Sequence, residues 1–168
     1  MAPMEEMGGG HWHDRERGGT VAAILVAALS AAVAVFILHR IAAGSGMALA
    51  AFPFITTLVL VCGAPGSAPA GTRAILGGHL ICGVVALGGL ALFPPSDIET
   101  AVAVGLAVAL MLATRCFHPP AGITPLIVAQ FNPGWDFLIW PVLTGALAAA
   151  ALARALERLR TSVKSSAR

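Results

Sequence analysis

The chain has 168 residues, of which 58% are hydrophobic and only 11% charged, and its mean hydropathy is +0.87. No soluble domain can hide that much apolar surface, so the composition demands a bilayer. The formal charge of +2 is too small and too localised for nucleic acid binding.

Residues 1–19 carry Gly8-Gly9-Gly10, Gly18-Gly19 and mixed charges, a composition that cannot bury a core and reads as a flexible cytoplasmic tail. His11-Trp12-His13 reads as part of that solvated tail and not as a metal site. The leader ahead of the first apolar run is long and acidic, so cleavage as a signal peptide is not expected. Residues 20–38 form the first candidate span, close to the ~20 residues that a ~30 Å hydrocarbon core requires. His39-Arg40 closes it.

Residues 47–62 follow, broken by Pro53, and a Gly/Pro-rich loop from Gly63 to Pro69 leads to Arg73. Residues 74–93 make a full span containing His79. Pro94-Pro95 must end it, because a proline pair cannot continue the hydrogen-bond ladder, and Ser96-Asp97 offers capping groups for a span over 99–114. After Arg115, the string Cys116-Phe117-His118-Pro119-Pro120-Ala121-Gly122-Ile123-Thr124-Pro125 allows only a short apolar helix, to about Phe131, reaching ~20 Å. Past the turn Asn132-Pro133-Gly134-Trp135-Asp136, residues 137–153 span again. Arg154, Arg158, Arg160, Lys164 and Arg168 follow, with 157–168 read as a basic cytoplasmic tail.

The expected fold is an all-α integral membrane protein with one transmembrane domain over 20–156: four full spans and two short, proline-broken helices. Inside the broken segments sit similar strings, Ile55-Thr56-Thr57-Leu58-Val59 and Ile123-Thr124-Pro125-Leu126-Ile127. Each lies in the middle of a triplet of long, broken and long helix, so the halves 20–93 and 97–156 are expected to form two inverted three-helix repeats. Basic residues collect on the cytoplasmic side of membrane proteins. Six crossings with both termini inside leave Arg40 as the sole basic residue outside, whereas five crossings would split the ten six to four.

The eight acidic residues all lie in the tails and loops, and the apolar segments hold none. Coupling through a buried carboxylate is therefore not expected. What the broken segments do offer is unpaired N–H groups and a positive dipole end at each helix start, a receptor for a small anion. Thr56, Thr57 and Thr124 add hydroxyl donors, Gly122 permits close approach to the backbone, and His118 can donate a hydrogen bond or carry a proton. His79, Arg73 and Arg115 are pathway candidates. A plainer reading of each exists: threonines bonding their own i−4 carbonyl, His79 in an interhelical bond, arginines as topology anchors. The three cysteines, Cys62, Cys82 and Cys116, read as packing residues, and Gly77-Gly78 and Gly88-Gly89 as close contacts.

The string Thr114-Arg115-Cys116-Phe117-His118-Pro119-Pro120-Ala121-Gly122 resembles the signature of the HPP family of small integral membrane proteins. The similarity continues through Pro53-Phe54, Pro65, Ser67, Arg73, Gly77-Gly78-His79 and Pro141, over roughly residues 50–155. It implies a membrane transporter whose site includes His118, Pro119 and Pro120, and some members are linked to nitrite movement across bacterial or plastid membranes. Ile55-Thr56-Thr57 stands where members usually carry small residues, and Gly71 and Ala74 stand where members carry Gln and Asn beside the loop arginine. Many relatives append nucleotide-sensing domains; none is expected here.

The resulting expectation is a non-enzymatic carrier or channel for a small inorganic anion, nitrite first, without cofactor or metal, homo-oligomeric, in a bacterial inner membrane. The alternatives are an accessory membrane subunit and a metal enzyme built on His39, His79 and His118.

Overall fold

A computed structural model describes residues 21–45 and 52–166. The expected tail with His11-Trp12-His13, the start of the first broken segment at Met47 and the terminal Arg168 lie outside the described residues. The helices are α1 (Val21–Ser45), α2 (Phe52–Gly63), α3 (Thr72–Leu92), α4 (Asp97–Ala113), α5 (Thr124–Phe131) and α6 (Thr144–Ser166). No strand occurs among the described residues.

Three stretches are long and apolar enough to cross a membrane: Ala23–Gly44, Thr72–Leu92 and Leu138–Leu159. The fourth expected span, α4, has 17 residues, the lower end of what crosses a hydrocarbon core. The expected short segments are α2, with 12 residues, and α5, with 8. Two ends differ from expectation. α1 continues through His39-Arg40 to Ser45, because a polar pair interrupts the apolar run without interrupting the backbone hydrogen bonds. α6 stays helical to Ser166, so most of 157–168 extends the last helix.

The turn chemistry at the two ends of α4 explains its bounds. Ser96 is extended and its hydroxyl accepts from Glu99 N–H at 3.1 Å, and Asp97 and Glu99 sit where the helix dipole favours acids. At the other end, Arg115 takes a left-handed φ of 56°. Arg115 N–H donates to Leu112 O at 3.1 Å and Cys116 N–H to Met111 O at 2.8 Å, a Schellman turn with arginine where glycine is usual. The chain thereby turns back into the bundle instead of leaving it.

α3 is the central helix, packed against α4, α5 and α6. On α6, Ala146, Ala149, Ala150 and Ala153 form one small-residue face that packs with Phe54, Val61 and Ile75, the close approach that membrane helices use in place of a hydrophobic drive. A second cluster joins Ala86 and Leu87 of α3 to Ile127, Val128, Phe137 and Val142. α6 is entered irregularly: Trp140 is extended at φ −129°, ψ 115°, as a residue ahead of a proline tends to be. α1 lies against α2 and exposes Ile24, Leu25, Leu29 and Phe36, side chains suited to lipid.

Candidate functional site

Pro53 stands in the first turn of α2, and its carbonyl collects two threonine hydroxyls. Thr56 Oγ1 donates to it at 2.9 Å and Thr57 Oγ1 lies 2.8 Å from it. One residue of helix turns a side chain by about 100°, which is what separates the two. Thr56 is exposed, and Thr57 is fully buried, at 0% exposure. Of the threonine pair expected at the site, only Thr57 faces the interior; Thr56 is satisfied by its own helix on the outer face.

Across from Thr57, α3 presents Gly77-Gly78-His79. A Cβ on Gly77 would lie 2.5 Å from Cys116 Sγ, and one on Gly78 would lie 2.6 Å from His118 Cβ. Such distances are far inside contact, so the two glycines are what let the segment 116–118 press against the helix. The close contact read from the glycine pair is therefore with an extended segment, not with another helix. His118 has φ −134° and ψ 90°, an extended form imposed by the following proline.

The three polar side chains meet at one oxygen. Thr57 Oγ1 lies 3.0 Å from His79 Nε2 and 2.9 Å from His118 Nε2, and both histidines are 0% exposed. The imidazole centroids are 5.1 Å apart, and the Phe54 ring covers His79 at 4.6 Å. His118 Nδ1 lies 2.7 Å from Pro69 O. A carbonyl only accepts, so Nδ1 carries a hydrogen and neutral His118 keeps Nε2 as an acceptor. His79 Nδ1 is buried without a hydrogen-bond partner among the described residues.

The depth of this cluster follows from helix rise. His79 is seven residues into α3 and Thr57 six residues from the end of α2, each placing the cluster about 10 Å in from the end that carries Arg73. The remaining thirteen residues of α3 cover about 20 Å, and the 3₁₀ turn Pro119–Ile123 followed by α5 covers a similar length. The second broken segment thus starts inside the bundle and runs alongside the far part of α3. Its start meets the second turn of α2 side by side, not tip to tip.

The other expected site residues divide. Thr124, at 1% exposure, is buried and its Oγ1 has no partner among the described residues. Gly122 is half-buried, with nothing within 4 Å of where a Cβ would stand. Pro119 is exposed and Pro120 half-buried. Arg73 is exposed and donates from Nη2 to Thr114 O at 2.8 Å, tying the start of α3 to the end of α4. Arg115 is exposed at the Schellman turn. Thr56 and Thr124 hold equivalent places in the similar strings, yet one faces out and the other in. Among the described residues there is no group of three or more His, Cys, Asp or Glu able to hold a metal.

Two partners escaped the sequence reading. Pro69 contributes a backbone carbonyl, for which no side-chain signal exists. The pairing of His79 with His118 had one: the glycines immediately before His79 mark a surface that something must approach closely.

A family model described as HPP, transmembrane region, matches residues 16–165. The chain belongs to the HPP family. A transmembrane protein of Dictyostelium discoideum is 35% identical over 102 residues, covering 56% of this chain and 36% of the relative. The chain spans about a third of that relative's length. No solved structure matches. In this HPP protein the His-Pro-Pro signature has a legible division of labour: His118 reaches Thr57 and Pro69, while Pro119 and Pro120 open the 3₁₀ turn that leads to Thr124.

Proposed function

We propose that this HPP protein is a transporter or channel for a small inorganic anion, with nitrite the first candidate. The anion is held where the two broken helices come together, by Thr57, His118, Thr124 and the backbone N–H groups near Gly122. The observation that carries the reading is the buried contact of Thr57 with His118, which joins the two broken segments at 2.9 Å. Three buried polar atoms have no partner among the described residues: Ser67 Oγ, His79 Nδ1 of this cluster, and Thr124 Oγ1 at the first residue of α5. Buried polar groups are otherwise almost always paired, so such atoms mark where a polar ligand is accommodated. The donors are imidazole, hydroxyl and the start of the second broken segment, and the segments that carry them contain no carboxylate; that set favours a small oxyanion over a cation.

The same reading sets the two halves, 20–93 and 97–156, as inverted triplets in a bacterial inner membrane with both termini cytoplasmic. Arg154 Nε donates to Thr72 Oγ1 at 3.1 Å and Arg73 reaches Thr114 O, so these arginines share one end of the bundle, in line with a cytoplasmic basic face. The protein acts without cofactor, metal or chemical conversion of its substrate, and as a homo-oligomer whose packing covers part of the outer apolar surface. The test is flux of nitrite, nitrate, formate and chloride into liposomes containing the purified chain alone. Saturable nitrite flux supports the reading. Flux no faster than in protein-free vesicles, for all four anions, points to an accessory subunit instead.

A further inference from the structure

The hydrogen-bond chain through Thr57 has a direction. With His118 neutral, Nδ1–H donates to Pro69 O at 2.7 Å and Nε2 must accept. Among the described residues the hydrogen available to Nε2 is that of the Thr57 hydroxyl, 2.9 Å away, for which Pro53 O at 2.8 Å is the competing acceptor. Thr57 Oγ1 then accepts from His79 Nε2–H at 3.0 Å. His79 is left with a bare lone pair on Nδ1, and this is the buried ring atom that has no partner among the described residues. With no anion bound, every donor of the trio is used, and the chain ends on one unfilled acceptor.

We propose that the trio His79, Thr57 and His118 is a one-proton switch that couples anion passage to proton uptake, with His79 Nδ1 as the port and His118 as the store. The inference rests on the anion-transport reading above. A proton from water bonds to His79 Nδ1. The Nε2–H bond of His79 breaks as its hydrogen passes to Thr57 Oγ1, and the Thr57 O–H bond breaks as its hydrogen passes to His118 Nε2. The net change is one added proton, and two hydrogens have each moved one place along the chain. His118 is now an imidazolium donating to Pro69 O and Thr57 Oγ1, and the new Thr57 hydrogen has His79 Nε2 and Pro53 O, the latter at 2.8 Å, as acceptors. His79 is neutral again, but its Nδ1 has become an N–H.

The consequence lies at that nitrogen. In the resting state it presents a lone pair, which repels an anion. After uptake it presents a donor beside a net positive charge, which attracts one. Proton and anion therefore favour each other's binding, reciprocally and by the same factor. Passage of the pair carries no net charge.

The surroundings leave this exchange to the trio. The titratable or charged groups on the packed elements are His39 and Arg40 on α1; Cys62 on α2; Arg73 and Cys82 on α3; Asp97 and Glu99 on α4; Arg115 and Cys116 ahead of His118; and Asp136, Arg154, Glu157, Arg158, Arg160 and Lys164 around α6. Among the described residues the imidazoles hydrogen-bond with Thr57 and Pro69 and with none of these groups. The loop over 64–71, the turn Pro119–Ile123 and α5 contain no titratable side chain.

The test uses the full chain in liposomes with the membrane potential clamped at zero and an acid-outside pH gradient. Nitrate is the probe, because its acid is fully dissociated and cannot leak as a neutral molecule; nitrite is run beside it with protein-free vesicles subtracted. A coupled protein should accumulate nitrate toward about a hundredfold under a gradient of about two pH units, since each unit is worth a factor of ten. Thr57→Ser, which keeps the bridging hydroxyl, should still accumulate nitrate well above onefold. Thr57→Val, which loses both the bridging hydroxyl and an anion-holding donor, should accumulate no nitrate. Should that variant not be recovered folded, His79→Asn, whose side chain cannot hold an added proton, should likewise lose accumulation. Wild-type protein that carries the anion downhill but accumulates none overturns the coupling and leaves the transport reading standing. Accumulation by Thr57→Val or His79→Asn equal to wild type removes the switch from these residues. Wild-type protein that moves no anion at all overturns the transport reading, and the coupling with it.

Discussion

Gly145 of α6 lies under the ring of Phe54, so close that a Cβ at position 145 would stand 2.5 Å from the ring carbons Cε2 and Cζ. The same ring stacks on His79 at 4.6 Å. The absence of a side chain at 145 therefore sets how far Phe54 can retreat from the histidine, and links α6 to the site without a polar contact.

Gly145→Ala should lower stability by about 1–3 kcal/mol, the usual cost of forcing a methyl into a packed interior. Gly88 offers the control, because nothing lies within 4 Å of its would-be Cβ. Gly88→Ala should be neutral or stabilising by up to about 1 kcal/mol, since alanine is the better helix former. Thermal unfolding of both variants in the same detergent checks the pair. Equal melting temperatures would mean that Phe54 moves aside at no cost.

Topology gives a second prediction. After replacement of Cys62, Cys82 and Cys116, which are all buried and unpaired, single cysteines at Asp97 and Trp135 should react with an impermeant reagent from the outer side. Cysteines at Arg115 and Thr161 should react only once the cytoplasmic side is opened. All four positions are exposed. Labelling of Thr161→Cys from outside would remove the six-crossing arrangement and the inverted repeat with it.

Gly122 supplies a third. A Cβ there meets no protein atom within 4 Å, so Gly122→Val should express and assemble normally. If the anion passes beside this backbone, the added isopropyl group occupies its path, and nitrite flux should fall by at least about tenfold, a barrier change of about 1.4 kcal/mol. Wild-type flux in a normally folded Gly122→Val protein would move the path away from the turn after Pro120.

Much of the architecture is readable from residue types whose physics is local. Pro94-Pro95 and Ser96 place the α3 to α4 junction to within a residue or two, because a missing N–H and a capping hydroxyl act over one turn. Reading α2 and α5 as short follows equally from Pro53 and the prolines at 119, 120 and 125. The failures are where local rules lose to context. His39-Arg40 reads as a helix end and lies within α1. Thr56 and Thr57 look alike in the string, and only the rotation of α2 against α3 decides that Thr57 is the one facing His79. The Schellman turn at Arg115 carries no glycine, the residue that usually announces it, so the inward return of residues 116–118 was visible only through the glycines on α3 that accept it. The pairing of two histidines 39 residues apart in the chain through one hydroxyl has no periodicity to betray it.

The most direct test of the central claim, that an anion sits where the two broken helices meet, is the apparent affinity of nitrite transport in Thr124→Val. The substitution keeps the side chain's shape and removes a buried hydroxyl that has no protein partner among the described residues, so the fold has no hydrogen bond to lose. Loss of a hydroxyl donor to a charged ligand costs on the order of 1.5–3 kcal/mol, so the nitrite concentration giving half-maximal flux should rise about tenfold or more, with expression and oligomeric state unchanged. A half-maximal concentration and maximal rate equal to those of the wild type would contradict the account.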